Sequence, residues 1–197
     1  MTVLLSLAAD LGSKTLAFRS VAGTPVIVER EAVLRLARVD PRQINSLVPA
    51  HEPVVVAPRL LHLTLVLNPG AVFGTGPGKR WFFVGFTIVA LGFGLFMFAR
   101  WCAARDTWAQ VGIGLLVGGG IGNLYDRLVF ACVRDFLHPL PGWKWPWGFT
   151  FRGTQEIWPY VSNVADALLL VGIGILLVFL WGKDRARPLP QRDGLGG

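Results

Sequence analysis

The stretch GGGIGNLYDRLVFACVRDF, from Gly118 to Phe136, decides how the rest of the chain is read. Its first five residues are glycine and isoleucine only. Its second half carries Asn123, Asp126, Arg127, Arg134 and Asp135. It closes an uncharged run of nineteen residues, Thr107–Tyr125. At 1.5 Å per residue, such a run as a helix is about as long as a bilayer core is thick. Ionisable groups beside a membrane-length apolar run are expensive to keep and mark functional sites. Gly118, Gly119, Gly120 and Gly122 remove side-chain bulk, so a neighbouring helix can approach closely.

Three further apolar runs surround this one. Trp81–Ala99 is nineteen residues without a charge, bounded by Lys79-Arg80 and Arg100. Val164–Trp181 is a second, opened by Ser162-Asn163-Val164-Ala165-Asp166-Ala167. The third is the N-terminal run MTVLLSLAADLGSKTLAF, broken only by Asp10 and Lys14, whose i,i+4 spacing puts them on one helical face. The pattern predicts an all-α membrane protein with four transmembrane helices, at about 2–18, 81–100, 107–128 and 163–181. Residues 1–182 form one domain, and 183–197 is a disordered cytoplasmic tail.

Between the first two helices, residues 19–80 are polar. Thr24–Glu29, Pro53–Pro58 and Leu61–Leu67 read as strands, the last with Leu61, Leu63, Leu65 and Leu67 on one face. Asp40-Pro41 reads as an N-cap followed by proline at the first helical position, with a short helix through Leu47. The segment is expected to be a small β-rich platform outside the membrane, ending in the loop Asn68–Gly74. Residues 132–162 form a second outer loop. Its Trp143, Trp145 and Trp147 have the composition of an interfacial aromatic belt.

Composition agrees. The chain is 53% hydrophobic and only 16% charged, with a net charge of +7. The basic residues lie in loops and the tail rather than on a soluble face, which points to lipid headgroups and not to nucleic acid. Basic residues in the short 100–106 loop and the 183–187 tail place both on the cytoplasmic side. Asp10, Lys14, Asn68, Asn123, Asp126, Arg127, Asp135, Asn163 and Asp166 then all fall at the outer level of the membrane.

Two carboxylates held together in a dry site cannot both ionise easily, so the pair shares a proton. One member can take a proton from water while the other protonates a carbonyl oxygen or leaving amine. That is aspartic-protease chemistry, and it needs neither metal nor cofactor. No HExxH or P-loop competes, His51, His62 and His138 lie near no serine motif, and Cys102 and Cys132 have no ligand spacing. The alternatives are structural: an Asp10–Lys14 ion pair, a terminal Asp126–Arg127 pair, and Asp166 and Asp135 as ordinary helix-end and loop carboxylates. A proton- or cation-coupled transporter is a different class. The inner halves of the helices, such as Ala90–Ala99 and Leu169–Leu180, lack the ionisable path it needs.

Five segments resemble the lipoprotein signal peptidase family, bacterial signal peptidase II. They are Asp10-Leu-Gly-Ser-Lys14, Asn68–Gly74, Gly118–Arg127, Val133-Arg-Asp-Phe136 and Asn163-Val-Ala-Asp166, in this order between four apolar helices. The resemblance implies four transmembrane helices with an extracytoplasmic β-cradle in the bacterial cytoplasmic (inner) membrane. It implies removal of the signal peptide from prolipoproteins carrying a diacylglyceryl cysteine. Asp135 and Asp166 would be the catalytic pair, ordered by Asn123, Arg127 and Asn163. Asn68 would contact substrate backbone, and Asp10, Lys14 and Asp126 would support the site. An inactive scaffold of the same fold is the alternative. Arg134, Ala131, Ser162 and Ala167 depart from the family pattern. Arg134 beside Asp135 is expected to favour the ionised carboxylate.

Overall fold

The computed structural model describes residues 1–70, 80–101, 103, 105–151 and 153–185. Four long helices form the frame: α1 (Thr2–Ser20), α3 (Arg80–Trp101), α4 (Thr107–Val129) and α5 (Val164–Arg185). A short helix α2 (Arg30–Val39) and a 3-10 turn (Pro41–Leu47) lie between α1 and the sheet. The sheet is antiparallel, ordered β1 (Val54–Ala57), β2 (Leu61–Asn68), β3 (Val133–Pro139). The chain is thus mostly helical with one small sheet. Among the described residues, two helices are both long and apolar enough to cross a membrane, Arg80–Arg100 and Val164–Lys183.

α4 is central and packs against α1, α3 and α5. Its glycines make this possible. A Cβ on Gly118 would lie 2.5 Å from Ser6 Cβ in α1, one on Gly119 2.8 Å from the Ala165 carbonyl oxygen in α5, and one on Gly120 2.9 Å from Leu91 Cδ2 in α3. One on Gly122 would collide with the Asp10 carboxylate. The glycine-rich half of the deciding stretch therefore faces three helices in turn. α3 and α5 turn large apolar side chains outward, among them Phe86, Val89, Phe93, Leu170 and Val178.

A second core lies at the end of α1, where Phe18 and Val21 pack with Val33, Ile44, Leu65, Leu67, Cys132 and Phe136. Leu65 and Leu67 are buried, as the alternation predicts. Asp40 caps the 3-10 turn by accepting from the Arg42 N–H. Strands form at Val54–Ala57 and Leu61–Asn68, but Thr24–Glu29 is not one. There Val26 and Val28 pack on the core from an extended segment with no partner strand, and the Val26 N–H bonds the Phe18 carbonyl. The helix that follows, α2, was not anticipated. Val33, Leu34, Leu36 and Ala37 pack inward, while Arg30, Arg35 and Arg38 face out. Arg30 also donates to the Leu128 carbonyl at the end of α4. The outer loop 132–162 likewise contains an unanticipated element, β3. Ala71, Val72, Phe73 and Gly74 of the predicted loop, Cys102, and tail residues 186–197 lie outside the described residues.

Candidate active site

β3 brings Asp135 opposite Val66 of β2, and its carboxylate is buried. Each oxygen accepts one amide hydrogen bond, Oδ1 from Asn163 Nδ2 at 2.6 Å and Oδ2 from Asn68 Nδ2 at 3.0 Å. Asn68 ends β2, and its Oδ1 accepts from the Gly70 N–H at 3.0 Å, which fixes the amide.

Asp166 sits in the first turn of α5. Asn163, just before that helix, and Asp166 bond reciprocally. Asn163 Oδ1 accepts from the Asp166 N–H at 3.1 Å, and Asp166 Oδ2 accepts from the Asn163 N–H at 3.3 Å. This is the capping-box arrangement, which satisfies amide groups that a helix start leaves free. Asp166 Oδ1 accepts from Asn123 Nδ2 at 2.9 Å. Asn163 therefore touches both carboxylates, and its Nδ2 also donates to Asn123 Oδ1 at 3.1 Å.

A buried ion network lies behind this layer. Lys14 Nζ donates to Asp10 Oδ2 at 2.8 Å and to Asn123 Oδ1 at 2.9 Å, and lies 3.5 Å from Asp126 Oδ2. Asp10 Oδ1 accepts from the Ala165 N–H at 2.9 Å, tying α1 to the start of α5. The expected Asp10–Lys14 pair is present. Asp126 does not pair with Arg127. Its partners are Lys14 and Arg134, whose Nη2 donates to Oδ1 at 2.9 Å and whose backbone N–H donates to Oδ2 at 3.0 Å. Arg127 donates instead to the carbonyls of Asn123 and Gly70, both at 3.1 Å.

Arg134 is the principal correction to the sequence reading. It is adjacent to Asp135 in sequence, but alternation along β3 sends its side chain the other way, onto Asp126 and the ring of Phe130. It does not touch the Asp135 carboxylate. The signal was available in the alternation, had β3 been recognised as a strand.

Burial pushes the Asp135 carboxyl up to about 7, with the charge of Asp166 acting in the same direction. The two amide donors oppose this rise without cancelling it. Burial also pushes the Cys132 thiol up to about 12, so it stays protonated and inert at neutral pH. Among the described residues no three His, Cys, Asp or Glu side chains gather as a metal site. A cavity of about 560 Å³ opens beside the Asp166 carboxylate between α3, α4 and α5. Phe82, Phe86, Leu91, Leu116 and Leu169 line its apolar length, and Asn123, Arg127 and Asp166 its polar end. A buried and a half-buried carboxyl, amide donors and an adjoining apolar slot together suit acid–base attack on a carbonyl held at the end of an apolar ligand.

The family model for signal peptidase (SPase) II matches residues 2–182. The lipoprotein signal peptidase of Desulfitobacterium hafniense (strain DSM 10664 / DCB-2) is 38% identical over 135 residues, covering 68% of this chain and 78% of that protein. That of Methylobacterium sp. (strain 4-46) is 34% identical over 154 residues, covering 74% and 81%. That of Halothermothrix orenii is 29% identical over 160 residues, covering 81% and 93%. The fold is similar to that of a bacterial membrane enzyme solved by the in meso method at 2.3 Å, with a TM-score of 0.57 at 24% identity over 93% of this chain and 96% of that one.

Proposed function

The chain belongs to the signal peptidase II family of aspartic peptidases, and from that premise we propose that Asp135 and Asp166 are its catalytic pair. The chain is a membrane enzyme with signal peptidase II activity, which takes prolipoproteins as substrates. The finer reading is that α1, α3, α4 and α5 all cross the bacterial cytoplasmic membrane. Residues 1–182 then form one domain with the carboxyl pair at the outer face, and 183–197 is a disordered cytoplasmic tail. α1 and α4, at 19 and 23 residues, have the length to span. The polar groups inside them are paired with one another, which is how a bilayer tolerates them.

The observation that carries the catalytic reading is Asn163, which donates to both carboxyl groups, from its side-chain amide to Asp135 and from its backbone N–H to Asp166. The pair shares one proton near neutral pH, and Asp135, raised to about 7, is the member that holds it for the greater part. Asp166 is the charged member in this reading: the N-terminal end of α5 and the donors Asn123 and Asn163 favour its charge against the cost of partial burial. Asp166 takes a proton from water as the water oxygen attacks the scissile carbonyl carbon, and Asp135 gives its proton to the carbonyl oxygen. Collapse of the resulting diol returns that proton to Asp135. Asp166 passes the water's proton to the leaving amine, the C–N bond breaks, and the pair is restored.

Asn68, Asn123 and Asn163 hold the carboxyls in register, and Asn68 borders the position of the substrate backbone. Arg127 clamps the Gly70 carbonyl and so fixes the Asn68 loop. Asp10, Lys14 and Asp126 hold the helix ends together. The apolar cavity takes the signal peptide or the acyl chains of a diacylglyceryl cysteine. The test is cleavage of a diacylated prolipoprotein in vesicles. Asp135→Asn and Asp166→Asn should each abolish it while remaining inserted, and the double variant should be scarcely worse than either. Near-normal turnover in either single variant would remove the dyad.

A further inference from the structure

Residues 143–151 and 153–157 form an arm that the peptidase reaction does not use. Its two sides pair through Trp145 N–H to the Gln155 carbonyl, Ile157 N–H to the Trp143 carbonyl and Phe151 N–H to the Thr154 carbonyl, each at 2.8 Å. The arm carries Trp143, Trp145, Trp147, Phe149 and Phe151, all exposed. Trp147 is 98% exposed, and its backbone lies at φ 58 between Pro146 and Gly148. That is an unfavourable conformation for a bulky residue. It turns the largest side chain of the arm away from the protein. Trp145 and Phe149 meet edge to face at 6.0 Å, so the arm carries a preformed aromatic surface.

We infer that this aromatic arm inserts into the outer boundary of the bilayer, with the headgroup and upper acyl region of lipid as its partner. Three observations select lipid. The stem joins the membrane-embedded part directly: Ser162 bridges Leu137 of β3, and α5 begins two residues later. The return side of the arm, 154–157, is only four residues long, so the paired part of the arm reaches no more than roughly 14 Å from its base. Exposed cations flank the rings, Lys144 within the arm and Arg59, whose guanidinium lies over the Trp143 ring at 5.9 Å. Tryptophan with basic side chains is the composition that settles at the membrane–water boundary, the ring in the interface and the cation at the phosphates. A surface of this size left in water would be a liability. Helices α3 and α5 likewise turn large apolar side chains outward.

The inference is independent of the dyad, and its test does not read activity. Trp147→Cys and Phe149→Cys, each with Cys102 replaced by serine, are spin-labelled in phosphatidylcholine vesicles. Cys132 is buried and does not compete for the label. Collision with oxygen, which concentrates in lipid, is compared with collision with a water-soluble nickel chelate. Val171→Cys on the exposed side of α5 is the lipid reference, and free label in buffer the aqueous one. Labels at 147 and 149 should reverse the aqueous ratio and approach that of Val171→Cys. An aqueous ratio at both positions would overturn the inference. So would shielding from both reagents, which would mean that the arm packs on protein or on a second copy.

Discussion

Replacing Asp135 by asparagine should abolish cleavage and, at alkaline pH, make the protein more stable than the wild type. The folded carboxyl titrates at about 7 against an ordinary value of 3.8, because it is buried beside Asp166. Its folded value is raised, so its contribution to stability is complete below 3.8 and is lost as pH rises through about 7. At 1.36 kcal/mol per pH unit, the full interval is worth about 4 kcal/mol, nearly all of it between pH 4 and pH 8. Asparagine carries no such cost at any pH. It has one of its own: Asn163 and Asn68 each donate to a different oxygen of Asp135, and an amide accepts at only one end. The mismatch should remove about 1–2 kcal/mol at every pH. At pH 4 the variant should therefore be no more stable than the wild type. At pH 8 it should be more stable, and the difference should swing by about 3–4 kcal/mol, roughly 6–16 °C in Tm for a chain of this size. Thermal unfolding in detergent, followed by tryptophan fluorescence at the two pH values, measures it directly. A difference in Tm that is the same at pH 4 and pH 8 would refute the argument that burial and Asp166 hold the proton on Asp135.

Asp126→Asn should cost about 3–5 kcal/mol, because it leaves Arg134 and Lys14 with an unneutralised charge in a buried network; apparent Tm measures this, and a fall of under a degree would contradict the network. Arg134→Val should destabilise in the same way but leave both limbs of the pH–rate profile in place, because its side chain points away from Asp135; a shifted limb would restore the direct effect expected from sequence adjacency. Asn163→Ala should lower kcat by about 10²-fold or more with little change in KM, as loss of the link between the carboxyls misplaces the reacting groups. Gly122→Ala should prevent assembly, since its Cβ has no room beside the Asp10 carboxylate, whereas Gly12→Ala on α1 meets nothing within 4 Å and should be tolerated, as yields of folded protein would report.

The apolar runs were long enough to name the four long helices without a structure, because span length and charge exclusion are one-dimensional properties. Most residues that gather at the site were equally legible: Asn68, Asn123, Asn163 and Asp166 stand at the ends of apolar or alternating runs, and Asp135 follows one of them. The Asp10–Lys14 pair followed from helical spacing alone. Other features depended on neighbours distant in sequence. Val133–Pro139 has little strand signal of its own and becomes β3 only by pairing with β2, which is why Asp135 looked like a loop residue. The direction of Arg134 then follows from the pleat of that strand, and Asp126 finds it as a partner instead of adjacent Arg127. Thr24–Glu29 reads as a strand but has no edge to pair with, while α2 forms because the core at the end of α1 accepts one apolar face. Sequence alone determined which groups are too polar to be idle beside membrane-length apolar helices. Tertiary structure alone decided which of them touch, since a carboxylate's partner and proton depend on burial and on donors supplied by other elements.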